Sequence, residues 1–427
     1  MSFNDFHFND HITQAIQQCG FTAPTPIQQQ AIPSVLERRD LLGLAQTGTG
    51  KTAAFILPTV QHLMQTSGKQ VRALIIAPTR ELAEQINAFT LQIIRNTPLR
   101  TVAVYGGVGK QGQVAKIRNG VDIVVACPGR LLDLLNDKAI NLSQVETLIL
   151  DEADHMFDKG FLPDIRRILR QLPKERQSLV FSATMPGEIR HLAEDILKNP
   201  VTVQINLTRS VDSISHRLYS IDQGQKTDLL LHLLKDEEMA TTLVFTRTKY
   251  KAKNLAQRLA QSGFKATSLQ GNLSQSKRQQ ALDGFKSGAY TILVATDIAA
   301  RGIDVTGISH VVNYDMPDTA EAYIHRTGRT GRAACTGEAL TFATNEDIRM
   351  IRLIENSLNN RMRRQTVADL PVVRNAPTGE RSEVRRERPA GAPRSNKGPK
   401  GTSTPRSSRS NRTAASSQVF GLAGRSK

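Results

Sequence analysis

Short apolar runs alternate with longer amphipathic stretches from about residue 40 to residue 205. A short apolar run predicts a strand that is buried on both faces, whereas apolar residues at every third or fourth position predict a helix. Their alternation therefore predicts a parallel sheet covered by helices on both faces. The predicted strands are Leu41–Ala45, Ala73–Ala77, Thr101–Tyr105, Ile123–Ala126, Leu148–Leu150 and Leu179–Phe181.

The same alternation returns after the polar stretch 207–215. The strands that it predicts there are Leu243–Phe245, Ile292–Ala295, Val311–Asn313 and Ala339–Phe342. We therefore expect two α/β domains, residues 1–206 and residues 216–370, joined by residues 207–215 as a short linker.

The last segment, residues 371–427, consists mainly of Arg, Ser, Pro and Gly and has few apolar side chains. Such a composition cannot offset the entropy that ordering removes, so we expect a disordered tail. The segment holds 13 Arg and Lys against 3 Glu, which gives +10 of the net charge of +17. This excess favours attachment to RNA. A solvated tail without a function is the open alternative.

The net charge of +17 favours nucleic acid over a membrane as partner, because no apolar run is long enough to span a bilayer. Aromatic residues make up 5% of the chain and Trp is absent, so we expect sequence-independent contacts with the sugar–phosphate backbone. The three cysteines are far apart and show neither zinc nor disulfide spacing. Together with an N-terminus that does not look like a secretion signal, they favour a cytoplasmic location.

A glycine-rich segment, Ala45–Thr52, lies between a predicted strand and a predicted helix. Backbone N–H groups at such a turn bind phosphate oxygens, a Lys reaches the β- and γ-phosphates, and a hydroxyl ligates Mg²⁺. The usual motif begins with Gly, where this chain has Ala45. The predicted nucleotide contacts are Thr47, Gly48, Thr49, Gly50, Lys51 and Thr52.

The acidic run Asp151-Glu152-Ala153-Asp154 follows another predicted strand, so it lies at a carboxyl edge where open α/β sheets bind ligands. Adjacent carboxylates can divide metal binding from proton transfer. Taken together with the glycine-rich segment, the run predicts a site for ATP and Mg²⁺. Two unrelated loops of a metabolic α/β enzyme are the alternative.

From Phe3 to Thr344 the chain resembles the DEAD-box ATP-dependent RNA helicases, and within them the bacterial RhlE-like group, because many short motifs occur in the family's order. The resemblance implies two tandem RecA-like domains followed by the disordered basic tail. It also implies an RNA-dependent ATPase that unwinds short RNA duplexes and remodels RNA or RNA–protein complexes. Further motifs that carry the resemblance are Gly20–Gln28, Ser182-Ala183-Thr184, Ala295–Asp304 and His325–Arg332.

For the ATP site, the resemblance assigns Asp151 to Mg²⁺, partly through water and together with Thr52, and Glu152 to activation of the attacking water. Arg329 and Arg332 match the arginine fingers that stabilise the transferring γ-phosphate, and His325 connects them to the aspartates. The residues implied as contacts for the nucleoside are Gln28, Phe3 and Asp304.

The resemblance also implies a polar network that couples the two domains, made of Asp154, Ser182, Thr184 and Arg301. It places the RNA contacts on the face opposite the nucleotide edges. These contacts are Pro78, Thr79, Arg80, Gly106, Gly107, Gly129, Arg130, Thr246, Arg247, Arg278, Thr296 and Asp297. Two positions depart from the family, which commonly has Thr at Cys127 and often has Ile at Thr327.

Two other functions use the same motifs. An ATP-gated RNA clamp or scaffold would do little unwinding. The presence of Glu152 and the arginine fingers argues against it, because such a protein would not need to keep them. A DNA helicase shares the paired domains, but the Gln28 motif and the DEAD run favour RNA. Ribosomal precursors or the RNA decay machinery are the expected partners.

Overall fold

Fourteen parallel strands form two seven-stranded sheets in the computed structural model. It describes residues 1–365 apart from 47, 66, 67, 69, 206–213, 237, 238, 301–304, 306 and 332–335. The first sheet contains β1 (Leu41–Leu44), β2 (Ala73–Ile76), β3 (Thr101–Val104), β4 (Ile123–Ala126), β5 (Thr147–Leu150), β6 (Gln177–Ser182) and β7 (Val201–Gln204). The second contains β8 (Ile214–Ser220), β9 (Thr242–Phe245), β10 (Ala266–Leu269), β11 (Ile292–Ala295), β12 (His310–Asn313), β13 (Gly337–Ala343) and β14 (Arg363–Gln365).

The two sheets share one topology. The strand order is β3-β4-β2-β5-β6-β1-β7 in the first and β10-β11-β9-β12-β13-β8-β14 in the second, and every pairing is parallel. Adding seven to each strand number of the first order gives the second. The predicted pair of parallel-sheet α/β folds is therefore confirmed.

Helices connect the strands of each sheet. Those of the first half are α1 (Asp10–Gln18), α2 (Pro26–Leu36), α3 (Lys51–Gln65), α4 (Arg80–Ile93), α5 (Lys110–Arg118), α6 (Pro128–Asn136), α7 (Ala153–Asp158), α8 (Leu162–Leu169) and α9 (Gly187–Ile196). Those of the second are α10 (Lys226–Leu233), α11 (Lys249–Gln261), α12 (Gln275–Lys286), α13 (Asp297–Ala300), α14 (Ala320–Thr327) and α15 (Ile348–Leu358).

Both faces of each sheet are buried. Along β2, Ile75 packs into one apolar cluster with Phe55 of α3, while its neighbour Leu74 packs into another with Ile165 of α8. Successive side chains of a strand point to opposite faces, so a strand covered on both sides needs a continuous apolar run. This requirement explains why the short apolar runs identified the central strands correctly.

The sequence pattern missed β7, β8, β10 and β14, which lie at or next to sheet edges. Edge strands are covered less completely and keep polar side chains, so they lack the continuous apolar run. Strand β8 begins at Ile214, inside the segment 207–215 that was predicted as a linker.

Both sheets belong to one compact unit, Met1–Val372, and the proposed domain bounds stay a prediction. The predicted disordered tail, residues 371–427, lies outside the described residues. Among the helices that the structure describes, none has the length and apolarity needed to cross a bilayer.

The packing of β1 against β6 leads to a stability prediction. A Cβ at Gly43 would lie 2.5 Å from Cδ1 of the fully buried Phe181, whose ring packs on Phe55. Because the ring has no room to move, we expect Gly43→Ala to lower the free energy of unfolding by about 1–3 kcal/mol in urea titrations. The matched control is Gly187→Ala, where nothing lies within 4 Å of the new Cβ. Equal unfolding midpoints for the two variants would contradict this prediction.

Candidate active site and nucleic-acid interface

The predicted ATP and RNA motifs occupy two halves of one sheet edge. The ATP motifs follow β1, β5 and β6, which are neighbours, whereas the RNA motifs of the first half follow β2, β3 and β4. Since all strands are parallel, their carboxyl ends meet at the same edge. The two sets of loops therefore lie side by side along this edge, and the expectation that RNA binds on the face opposite the nucleotide edges stays a prediction.

Two glycines with positive φ shape the loop after β1. Gly48 and Gly50 have φ of 83° and 93°, a region that favours glycine. Lys51 begins α3 and is 6% exposed, and its Nζ donates a 2.8 Å hydrogen bond to Ala45 O. Ala45 itself continues the sheet, since its N–H donates to Ser182 O, and so needs no glycine. Predicted contact Thr47 lies outside the described residues.

The side chain of Gln28 joins the upstream motif to this loop. It is 4% exposed, its Oε1 accepts from Thr25 N at 2.9 Å, and its Nε2 donates to Gly50 O at 3.1 Å. An amide has two N–H donors and two acceptor lone pairs, so these bonds do not exhaust its capacity to bind a base edge. Phe3 stacks on Phe21 of the same motif with ring centroids 6.2 Å apart. Their contacts with adenine stay predictions.

The acidic run places two buried carboxylates at the end of β5. Burial raises the pKa of Asp151 to about 6, against the pull of Lys51. Burial also opposes ionisation of Glu152, but His155, Lys51 and Arg329 outweigh it and hold the pKa of Glu152 at about 2. Glu152 thus stays ionised and can accept a hydrogen bond from water.

Backbone strain also marks Glu152. Its φ of 54° is a left-handed conformation that non-glycine residues rarely adopt. His155 lies one turn further along α7, and its Nδ1 is 3.2 Å from Glu152 Oε2. This contact holds the carboxylate of Glu152 in place next to α7.

Three of the four predicted coupling residues form one network. Asp154 Oδ2 accepts hydrogen bonds from Ala183 N, Thr184 N and Thr184 Oγ1 at 2.9–3.2 Å. Ser182 Oγ accepts from Asp154 N at 3.2 Å and donates to Thr184 O at 2.7 Å. The network joins the end of β5 to the end of β6. Arg301 lies outside the part of the chain that the structure describes.

Residues of both halves line one cleft next to the glycine-rich loop. Lys51 and Glu152 share its lining with His325 and Arg329, of which Arg329 is 5% exposed. The structure therefore brings together these four predicted catalytic residues, which come from both halves. Predicted residues Arg332 and Asp304 lie outside the described ranges.

The sequence did not single out Arg326, which holds α14 in place. Its Nε and Nη2 donate to the two carboxylate oxygens of Asp297 at 2.6 Å each, its Nη1 donates to Asp315 O at 2.7 Å, and its guanidinium lies 5.0 Å from the centre of the Phe245 ring. The carboxylate of Asp297 is paired with Arg326, and the predicted contact of Asp297 with RNA stays a prediction. The density of cations in residues 325–332 indicated that an anion was needed, but nothing in the sequence identified Asp297 as that anion.

Seven predicted RNA contacts line one cleft of about 600 Å³ formed by both halves. They are Pro78, Thr79, Arg80, Gly106, Gly129, Arg130 and Arg278. The side chain of Thr79 caps α4 by accepting from Leu82 N, and this bond does not use the O–H donor of its hydroxyl. Arg278 Nε donates to Glu81 Oε1 at 2.7 Å, and this pair joins the two halves.

Three further predicted contacts follow strands of the second sheet. Thr246 is fully buried and its Oγ1 donates to Thr248 O, so its hydroxyl cannot contact RNA in this conformation. The side chain of Arg247 is 59% exposed, and Thr296, directly after β11, is half-buried. Contacts of the last two with RNA stay predictions.

Both departures from the family fit their surroundings. Burial raises the pKa of the Cys127 thiol to about 12, so the thiol is neutral, and it makes no capping hydrogen bond to α6. Thr327 is buried, but its Oγ1 donates to Tyr323 O at 3.0 Å. The hydroxyl is therefore satisfied within its own helix.

Two known protein families and several known proteins match this chain in sequence. The DEAD/DEAH box helicase family matches residues 25–192, and the helicase conserved C-terminal domain matches residues 225–334. The chain is 42% identical over 361 residues to the ATP-dependent RNA helicase CshA of Listeria monocytogenes, covering 84% of this chain and 69% of that one. It is 42% identical to the DEAD-box ATP-dependent RNA helicase RhpA of Helicobacter pylori, covering 84% and 73%.

A solved structure of S. cerevisiae Dbp5 bound to RNA and ADP BeF3 is similar, with 30% identity, a TM-score of 0.77, and coverage of 85% of this chain and 95% of that one. The chain belongs to the DEAD-box ATP-dependent RNA helicases, and its paired sheets are tandem RecA-like domains. It is an ATP-dependent RNA helicase and an RNA-stimulated ATPase.

The close packing of Arg80 on Gly107 yields a prediction about RNA binding. Gly107 has φ of 85°, and a Cβ there would collide with the Arg80 guanidinium. Because the guanidinium must move, we expect Gly107→Ala to weaken RNA binding about tenfold in fluorescence anisotropy. Gly109→Ala is the control, since nothing lies within 4 Å of its new Cβ. The same affinity for both variants would show that the placement of Arg80 does not matter.

Proposed function

We propose that this helicase separates short RNA duplexes locally, by closing its two halves on one strand when ATP and RNA are both bound. The observation that carries the proposal is the shared cleft, where Arg329 of the second half lies with Lys51 and Glu152 of the first. Groups on different domains can act on one γ-phosphate only when the domains close. Hydrolysis and phosphate release then reopen the cleft.

Each residue has a distinct role in this mechanism. Lys51 and the amides of the glycine-rich loop hold the phosphates, and ionised Glu152 orients the attacking water. Arg329 stabilises the charge that develops on the transferring phosphoryl group, and Arg332 is predicted to act in the same way. His325 links these arginines to the acidic run.

The oxygen donors near the loop suit Mg²⁺. Asp151 is 2% exposed, and burial of its carboxylate beside the loop favours a cation there. Among the described residues, no group of three His, Cys, Asp or Glu side chains is arranged to hold a metal ion by itself. Asp151 and Thr52 would hold the ion, which would neutralise phosphate charge during transfer.

The RNA cleft depends on the same closure. Arg278 and Glu81 come from different halves, and both line this cleft. Backbone contacts would make the grip independent of sequence. Binding of RNA and binding of ATP would then stabilise one closed state, so that each increases the affinity for the other.

The finer identity of the chain stays a proposal. Ribosomal precursors and RNA decay intermediates are the natural targets that we expect, in the cytoplasm. Membership of the RhlE-like group rests on the motifs alone, since the two relatives described above are named CshA and RhpA.

ATP turnover with and without single-stranded RNA, together with unwinding of a short duplex, tests the proposal. We expect RNA to raise turnover and unwinding to need ATP. Equal turnover in both conditions would contradict the coupling. RNA-stimulated turnover without strand separation would favour an ATP-gated clamp instead. Stimulation by DNA of equal length would argue against specificity for RNA.

Substitution Glu152→Gln separates binding from chemistry. The amide keeps the size of the side chain but is a poor acceptor for the proton of water, so turnover should fall at least about a hundredfold. ATP and RNA should stay bound together, because the groups that hold them are unchanged. Single-turnover hydrolysis and equilibrium binding of a fluorescent ATP analogue measure both effects. Loss of ATP binding would show that Glu152 has a different role.

Removal of residues 371–427 tests the proposed electrostatic role of the tail. The deletion takes away a net charge of +10, so RNA affinity should fall and depend less steeply on salt. Turnover without RNA should be unchanged. An unaltered salt slope would exclude the tail as an RNA attachment segment.

A further inference from the structure

The RNA cleft contains a lysine that none of the predicted motifs includes. Lys159 directly follows α7, the helix that begins with the acidic run, and it lines the cleft beside Pro78, Cys127 and Gly129. Helix α7 has six residues and is therefore about 9 Å long. Asp154 and Asp158 of this helix line the ATP cleft, and Lys159, directly after it, lines the RNA cleft.

A hydrogen bond fixes the ammonium group of Lys159 beside the predicted RNA contacts Pro78, Thr79 and Arg80. Lys159 Nζ donates to Pro78 O at 3.1 Å. Pro78 directly precedes Thr79 and Arg80, where α4 begins. A helix N-terminus attracts phosphate, and a cation placed there adds to that attraction.

The charges that line the cleft point to an anionic ligand at this place. Arg80, Arg130, Lys159 and Arg278 are its cations, and Glu81 and Asp133 are its carboxylates, which leaves a net charge of +2. Arg278 lies 2.7 Å from Glu81, and Arg130 lies 3.5 Å from Asp133. The described lining is therefore positively charged overall, and Lys159 contributes to that charge.

The neighbouring thiol cannot supply this attraction. Cys127 is a weak donor, and burial keeps it neutral by raising its pKa to about 12, although Lys159 opposes that rise. This electrostatic effect shows that the ammonium group is close to position 127. Lys159 and Arg80, whose charges both act to lower the pKa of Cys127, are therefore the cations that can attract a phosphate in this part of the cleft.

We propose that Lys159 contacts an RNA phosphate in the cleft, beside the Pro78 carbonyl, and so extends the grip formed by Arg80. This inference rests on the proposed binding of RNA in that cleft. A purely structural lysine at the end of α7 would interact only with the helix C-terminus and with Pro78. The two roles differ in their dependence on salt.

The test uses the full chain with a single-stranded oligouridylate and AMP-PNP, and measures the RNA dissociation constant across a salt series. In Lys159→Met the side chain keeps its length and loses its charge. We expect affinity to fall about fivefold, and the slope of log affinity against log salt to become shallower by about 0.7, the value for one phosphate on a single strand. Lys159→Arg should restore the slope.

The control is Lys198→Met, which removes an exposed lysine paired with Glu175 away from the cleft. It should leave affinity and slope unchanged. Weaker binding of Lys159→Met with an unaltered slope would overturn the proposal, because it would show a structural role. A slope that Lys159→Arg fails to restore would also overturn it. Should Lys159→Met unfold, Lys159→Gln is measured in its place by the same criteria.

The proposal and the proposed mechanism can fail separately. If Lys198→Met and the unaltered chain show RNA-stimulated turnover while Lys159→Met keeps its salt slope, only the role of Lys159 is lost. If RNA does not stimulate turnover of the unaltered chain, the coupled mechanism fails whatever the slope.

Discussion

In the proposed mechanism, catalysis depends on positive charge from the second domain meeting the carboxylates of the first. Arg329 lines the cleft that contains Lys51 and Glu152, and its charge helps to keep Glu152 ionised. A carboxylate buried to this degree would otherwise tend to bind a proton. The same arginine is thus placed to stabilise both the resting carboxylate and the charge that forms on the phosphate.

Both sheets have the same strand order, so each domain carries its predicted ligand-binding motifs along a similar sheet edge. In the first sheet, β1, β5 and β6 carry the ATP motifs and β2, β3 and β4 carry the RNA loops. The RNA segments of the second sheet follow β9, β10 and β11, which are the equivalents of β2, β3 and β4. If ATP and RNA bind at these motifs, as proposed, both ligands contact both domains and favour the same closure, which would couple their binding.

Sequence reasoning succeeded where chemistry or burial left a strong local signal. Central strands were found because burial on both faces demands continuous apolar runs. Lys51, Glu152 and Arg329 were singled out because their motifs have fixed chemistry, and the structure brings them into one cleft. It failed where partners are distant in the chain. Pairing of Arg326 with Asp297 and the position of Lys159 next to Pro78 depend on tertiary packing, and no spacing in the sequence encodes them.

The most direct test of the shared site is single-turnover ATP hydrolysis by Arg329→Ala with saturating RNA, measured beside equilibrium binding of ATP. The account predicts that hydrolysis falls at least about a thousandfold, as for other arginine fingers, while ATP affinity changes only a few fold. A hydrolysis rate close to that of the unaltered chain would contradict it, as would a loss of ATP affinity that matches the loss in rate.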